Sequence, residues 1–303
     1  DEIKSTVMDL TFKPTKHVVL EEMTGTTCGN CPQGIIVIEK MKEMYGEQFI
    51  PISIHTYDGD EWGSGLQDYS KYLGLIAAPT GIINRSTDIV LPMLQDPIEH
   101  KYTMSYYGYL WLDKVAEEMD NPTYIDVTAT VKTDAATGRF SLPVTVRSAL
   151  NTSNQNINVL TVMMEDKLVG MQNNYLASMT DPIFGDWGQG GRYGQSVVKS
   201  FVHSDVVRHV YGATYGGTTG LLPQTMVAGE YYSTTISGEL PGTCENLDYT
   251  KFAVILIDAN TDKIINAYVA YTNPDIQGIR EVTNTDRNSD DNRQYNLAGQ
   301  VVD

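Results

Sequence analysis

At Asp120-Asn121-Pro122 the hydrophobic period of this 303-residue chain changes, and that change limits the available folds more than any other feature. Upstream, apolar residues recur every three or four positions: Ile35, Ile38, Met41 and Met44/Tyr45 before Gly46, then Met104, Tyr107, Leu110/Trp111 and Val115 within 102–119. That spacing predicts two amphipathic helices, with Gly46 as a natural stop for the first. Short β-prone runs lie at 17–23 (HVVLEEM), 49–55 (FIPISIH) and 80–84 (TGIIN), and 66–73 reads as a further helix. Strands alternating with helices make an α/β unit. Downstream the period is two. Ile125, Val127, Ala129 and Val131 alternate with polar residues, as do Phe140, Leu142, Val144 and Val146, then Leu160, Val162 and Met164. The runs at 227–236, 251–257 and 264–271 continue the theme, the last two joined by a turn at 258–262. Such strands predict an antiparallel β-sandwich, immunoglobulin-like in type.

The expected organisation is therefore an α/β domain over 1–121 and an all-β domain over 122–272. A loop-rich insertion at 171–225, with nine glycines and one strand near 206–210, interrupts the second. A polar tail follows at 273–303, and an apolar cluster around 7–10 is expected as an edge strand or arm. Lys and Arg number 21 against 38 Asp and Glu, a formal charge of −17. That field repels nucleic acid and anionic lipid, so neither is an expected partner. The longest apolar runs, such as 252–257, fall far short of the ~18 residues of a membrane span, so no transmembrane span is expected.

Cys28-Gly29-Asn30-Cys31 carries the chemistry. It lies between a strand and a helix, and Pro32 suits the first helical turn, where no N–H is needed. In that position free backbone N–H groups and the positive end of the helix dipole stabilise a thiolate at the first sulfur. The pair can equally be a structural or vestigial disulfide. Metal binding is not expected. A zinc site usually needs four ligands, and only Cys244 and five scattered histidines remain, with His203 and His209 too far apart for a ligand pair. Cys244 is expected as a buried small hydrophobe. His55 at a strand end and the Asp58/Asp60/Glu61/Trp62 loop are expected at the solvated surface. Gly188, Gly190, Gly191 and Gly194 (GQGGRYG) lack the strand and Lys-bearing helix of a phosphate loop and read as turns. The Asp/Asn-rich tail lacks the spacing of a calcium loop.

The run 18–32 (VVLEEMTGTTCGNCP), with Ala78-Pro79-Thr80 opening the third strand 48 residues after Cys31, resembles the thioredoxin-like superfamily. The resemblance implies that Cys28 is the attacking thiolate and Cys31 the resolving thiol, with no cofactor. It implies that Pro79 is a cis-proline packed near them, and that Ala78, Thr80, Gly29 and Asn30 form a platform for an extended substrate peptide. Glu22, six residues before Cys28, then corresponds to the buried carboxylate that assists proton transfer at the second cysteine. If its strand is an edge, Glu22 is instead simply exposed. Thr27 stands where the superfamily commonly has tryptophan, which weakens the case for a flat apolar docking surface.

A narrower resemblance joins LEEMTGTTCGNCPQG, APTGIINR and a β-rich second half. It is to the Bacteroidetes outer-membrane-protein family named for its twenty-eight-kilodalton founder. It implies an exported cell-envelope protein, made with a signal peptide and compatible with a lipid anchor. Its partners would be exported protein thiols or a redox partner protein. The tail YNLAGQVVD resembles the start of C-terminal sorting segments of that phylum, which implies a truncated end. The competing expectation is a non-catalytic envelope binding or structural module that keeps the cysteine pair as a disulfide.

Overall fold

The run Val18–Met23 becomes strand β1, and Val18, Val19 and Leu20 are all fully buried. A strand covered on both faces reads as a continuous apolar run rather than an alternation. This computed structural model describes residues 12–86, 88–104 and 110–273, together with a short ladder of 294–295 with 301–302. The expected arm at 7–10 and the rest of the tail lie outside the described residues.

β1 runs parallel to β2 (Phe49–Ile54), and helix α1 (Pro32–Tyr45) makes the crossover between them. Pro32 opens α1, and Gly46 at φ 63° ends it, its N–H bonding back to the Lys42 carbonyl. Helix α2 (Gln67–Tyr72) leads to β3 (Thr80–Ile83), antiparallel to β1. The helix expected over 102–119 is shorter. Tyr102–Thr103 is strand β5, paired with β4 (Leu94–Gln95), and α3 covers only Trp111–Asp120. Leu110, in an extended conformation, caps it; Tyr107 lies outside the described residues.

The second half is almost all β: β6 (Ile125–Ala129), β7 (Lys132–Asp134), β8 (Arg139–Ser148), β9 (Ile157–Glu165), β10 (Leu168–Asn173), β11 (Val197–His203), β12 (Val206–Tyr211), β13 (Tyr231–Glu239), β14 (Thr250–Asp258) and β15 (Ile264–Tyr271). Its strands divide between sheets. β13, β8 and β6, with β7 pairing β8, form a four-stranded antiparallel sheet. β15, β14, β9 and β12 continue through β2, β1 and β3 as one mixed seven-stranded sheet. The main sheet thus runs across Asn121. The join is narrow: Val206 pairs with Ser53, and the Ser53 N–H donates to the Asp205 carbonyl at 3.0 Å.

Register assigns the faces. Glu22, Ser53, Val206, Glu165 and Thr250 stand side by side across β1, β2, β12, β9 and β14. On that face Leu20 and Val18 pack under α1 and α3. Further along it Met163, Phe252, Val254 and Leu256 pack against Val127, Phe140, Leu142 and Val144 of the four-stranded sheet. The opposite face, with Ile50, Ile52, Val162 and Ile255, is covered by Leu66, Tyr69 and Leu73 around α2. β6 and β8 alternate because one face is covered; β14 is continuously apolar because both are.

Glu21, fully buried on the α2 side, accepts from Arg85 Nε at 2.8 Å, Arg85 Nη2 at 2.7 Å and the Tyr69 hydroxyl at 2.6 Å. Arg85 also reaches Asp262 in the β14–β15 turn. Removing one member of a buried pair leaves the other charge uncompensated. Glu21→Ala is expected to lower the unfolding free energy in urea by about 3–5 kcal/mol, whereas Lys40→Ala, which breaks only an exposed pair with Glu43, is expected to change it by less than ~0.5 kcal/mol.

Candidate functional site

The loop from β1 to α1 carries the cysteines, and Cys31 is the residue that caps α1. Cys28 and Cys31 are joined as a disulfide, S–S 2.07 Å, with Cα atoms 5.4 Å apart. Cys31 is fully buried and Cys28 is 2% exposed. Asn30 is exposed and Gly29 is not. The Ala78–Pro79 peptide is cis. Pro79 is buried, with Ala78 and Thr80 half-buried beside it, and the Thr80 hydroxyl donates to the Ala77 carbonyl. Thr80 pairs with Met23, so this loop and the cysteine loop leave the sheet at the same end.

Glu22 lies in the interior; β1 is flanked by β2 and β3 and is not an edge. One carboxyl oxygen accepts from the Ser53 hydroxyl at 2.7 Å, and the other has no partner. That second oxygen lies under the first turn of α1, 3.1 Å from where a β-carbon on Gly34 would stand. The Gly34 N–H donates to the Cys31 carbonyl. Burial drives the Glu22 pKa up to about 7; Asp205 pushes the same way, against the Ser53 hydrogen bond and Lys42. Asp205 is itself buried. Burial would raise its carboxyl, but Lys251 and Lys42 outweigh it and hold the pKa at about 2.

The cover on the site comes from the stretch expected as a loop-rich insertion, whose position over Cys28 the sequence left open. Residues 172–175, at the end of β10, lie across the cysteine loop. The Asn173 N–H donates to the Thr26 carbonyl at 2.8 Å and the Tyr175 N–H to the Gly29 carbonyl at 2.8 Å. Gln172 Nε2 donates to the Cys28 carbonyl at 3.0 Å and Asn173 Nδ2 to the Thr27 carbonyl at 2.8 Å. A β-carbon on Gly29 would fall 2.4 Å from the Tyr175 ring. The backbone bonds follow from the extended segment itself, but no local motif marks these residues in the sequence.

His55, expected at the surface, is instead 3% exposed, and its Nδ1 lies 2.9 Å from Asp60 Oδ2. The Asp60 carboxylate is also enclosed, accepting from the N–H groups of Thr26 at 2.6 Å and Trp62 at 2.8 Å. Trp62 packs against Gly170 and edge-on to His203. The solvated loop therefore turns inward at Asp60 and Trp62, because a carboxylate holding three donors cannot face solvent and close the loop at once. Asp58 and Glu61 remain exposed. Cys244 is half-buried, its sulfur 3.4 Å from the Thr250 hydroxyl. No cluster of His, Cys, Asp and Glu suited to a metal occurs among the described residues. Nor is any helix among them long and apolar enough to cross a membrane.

No protein-family model matches the chain, and no curated protein matches it in sequence. Among solved structures it is similar to HBP35 of Porphyromonas gingivalis, at 17% identity and a TM-score of 0.56, covering 96% of this chain and 91% of that one. The two share a fold. Also found are a protein of Agrobacterium tumefaciens, at 15% identity, TM-score 0.48 and 86% and 97% coverage, and a domain of the outer membrane lipoprotein Omp28 from P. gingivalis, at 11% identity, TM-score 0.25 and 50% and 89% coverage.

The raised Glu22 pKa carries a stability signature. The folded state holds the proton more tightly than the unfolded chain, so this contribution is fully present below the ordinary value of 4.5 and is lost as pH rises through about 7. Its size is on the order of 3 kcal/mol. Between pH 5 and pH 8 the wild-type urea midpoint is expected to fall relative to that of Glu22→Gln, because groups that act with the opposite sign, such as the buried His203, contribute alike in both proteins. Parallel pH profiles in the two proteins would place the titration elsewhere.

Proposed function

We propose that this chain is an exported cell-envelope protein whose Cys28–Cys31 pair exchanges disulfides with exported protein thiols or a redox partner protein, on a thioredoxin-like site. The carrying observation is Glu22: a protonatable carboxyl, buried, with one oxygen unpartnered beneath the helix turn that holds Cys31. On reduction, a substrate thiolate attacks the Cys28 sulfur and the Cys28–Cys31 bond breaks. Cys31 leaves as a thiolate and takes the Glu22 proton. A second substrate thiolate then attacks the substrate sulfur of the mixed disulfide, releasing the oxidised substrate and the Cys28 thiolate. Pro79, with Ala78 and Thr80, and the exposed Asn30 would border the approaching peptide. The envelope location rests on the sequence resemblance and on the oxidising compartment a persistent disulfide prefers.

In this closed form the segment 172–175 occupies the approach to Cys28. That observation favours a second reading, a non-catalytic module with a structural disulfide. The two differ in what happens when the cover is loosened. Under the exchange reading, Tyr175→Ala with Gln172→Ala speeds reduction by dithiothreitol about tenfold, the equivalent of ~1.4 kcal/mol of lost contacts, and Cys31→Ser accumulates a mixed disulfide at Cys28. A Cys28 thiol that titrates near ~8.5, with no effect of either cysteine variant on insulin reduction, leaves the structural reading standing.

A further inference from the structure

Two hollows meet at His55. The inner one, about 120 Å³, is lined by Glu22, Ser53, Lys42, His203, Asp205 and His55 among others. Its lining mixes these polar groups with Ile35, Ile38, Phe201 and Val202, and it has room for water. The outer one is an open groove of about 390 Å³ beside Ile76 and Ala77, bordered by the 56–60 loop and again by His55. His55 is the one residue common to both linings. It follows Ser53 by two positions, on the same side of the chain leaving β2, and Ser53 hydrogen-bonds Glu22.

The ring has a fixed orientation. Asp60, enclosed and held by the Thr26 and Trp62 N–H groups, faces His55 Nδ1 at 2.9 Å. A carboxylate there selects the Nδ1–H form and leaves Nε2 to exchange a proton. The other nearby histidine is not equivalent. His203 Nε2 faces the Met171 carbonyl at 3.2 Å, and burial, with His55 beside it, keeps that ring neutral, with a pKa of about 3. The charged and titratable groups that line the two hollows with His55 are Asp60, Asp58 and Tyr57 in its own loop, His203 on β11, Glu22 on β1, Lys42 and Glu39 on α1, and Asp205 before β12.

Resting on the exchange reading, we propose that His55, oriented by Asp60, relays the proton between Glu22 and the outer groove. When Cys31 leaves as a thiolate it takes the Glu22 proton; His55 Nε2, unprotonated in the Nδ1–H form, then accepts a proton from water in the groove and passes one on, through water in the inner hollow, to the Glu22 carboxylate. Oxidation runs the same path in reverse. His55 is a positioning residue here, since it reaches the sulfur only through Glu22.

The test is stopped-flow reduction of the full chain by dithiothreitol, run also in the Tyr175→Ala background so that opening of the cover does not set the rate. His55→Ala is expected to slow reduction about tenfold or more, and added imidazole, entering from the groove, is expected to restore it in a graded way. His55→Gln, which keeps a donor for Asp60 but cannot relay, stays slow, and its rate decides between relay and no relay should the alanine variant not fold. Wild-type rates in the variants overturn the relay. So does a loss in His55→Ala that imidazole does not restore, which marks a structural role. The underlying reading is separable: if dithiothreitol and its oxidised form cannot interconvert the wild-type pair reversibly, exchange itself fails. Reversible interconversion with unaltered variant rates removes His55 alone.

Discussion

A single buried carboxylate, Asp205, ties the two halves of the main sheet together. Its side chain meets Lys42 of α1 and Lys251 of β14, the latter at 2.6 Å. Its carbonyl accepts from Ser53 of β2, and its own N–H donates to Asp166. Residues from widely separated parts of the chain therefore converge on one residue held at φ 61°. Two ammonium groups around one carboxylate make its ionised state favourable despite burial. The join between β2 and β12 is otherwise a single paired position, so this cluster supplies much of what holds the sheet continuous there.

The same cluster sets the environment of Glu22. Asp205 adds negative potential and Lys42 subtracts from it, so a strand-to-strand joint also tunes a carboxyl under the cysteine helix. The architecture and the candidate chemistry share the same charges, and the residue that completes the site, Asp205, comes from the far side of the expected domain boundary.

The strands β1, β2 and β3, helix α1 and the stop at Gly46 were legible because local rules decide them: apolar runs, a helix-opening proline and a left-handed glycine. The alternation in β6 and β8 was legible for the same reason. What was not legible depends on pairing between distant segments. β9 and β14 read as members of one sandwich, yet pairing through β12 places them in the mixed sheet, and nothing in TVMME or FAVILID encodes that neighbour. His55 and Asp60 looked solvated because a polar loop usually is; three donors converging on one carboxylate are visible only in three dimensions. The cover at 172–175 was hidden in a loop-rich stretch of ordinary composition. Whether Glu22 faced water or the interior turned on whether β1 was an edge, which no residue within β1 discloses.

The contact between Tyr175 and Gly29 has a consequence for how such a protein can change over time. In a cysteine motif the two intervening residues are ordinarily the place where redox character drifts, since they neighbour both sulfurs. Here the first of them lies against an aromatic ring from a segment 146 positions away, with no space for even a methyl group. Tyr175 is itself 64% exposed, so its ring has solvent on its outer side. A side chain at position 29 would therefore displace the ring before it altered the sulfurs. Variation inside the motif becomes variation in access.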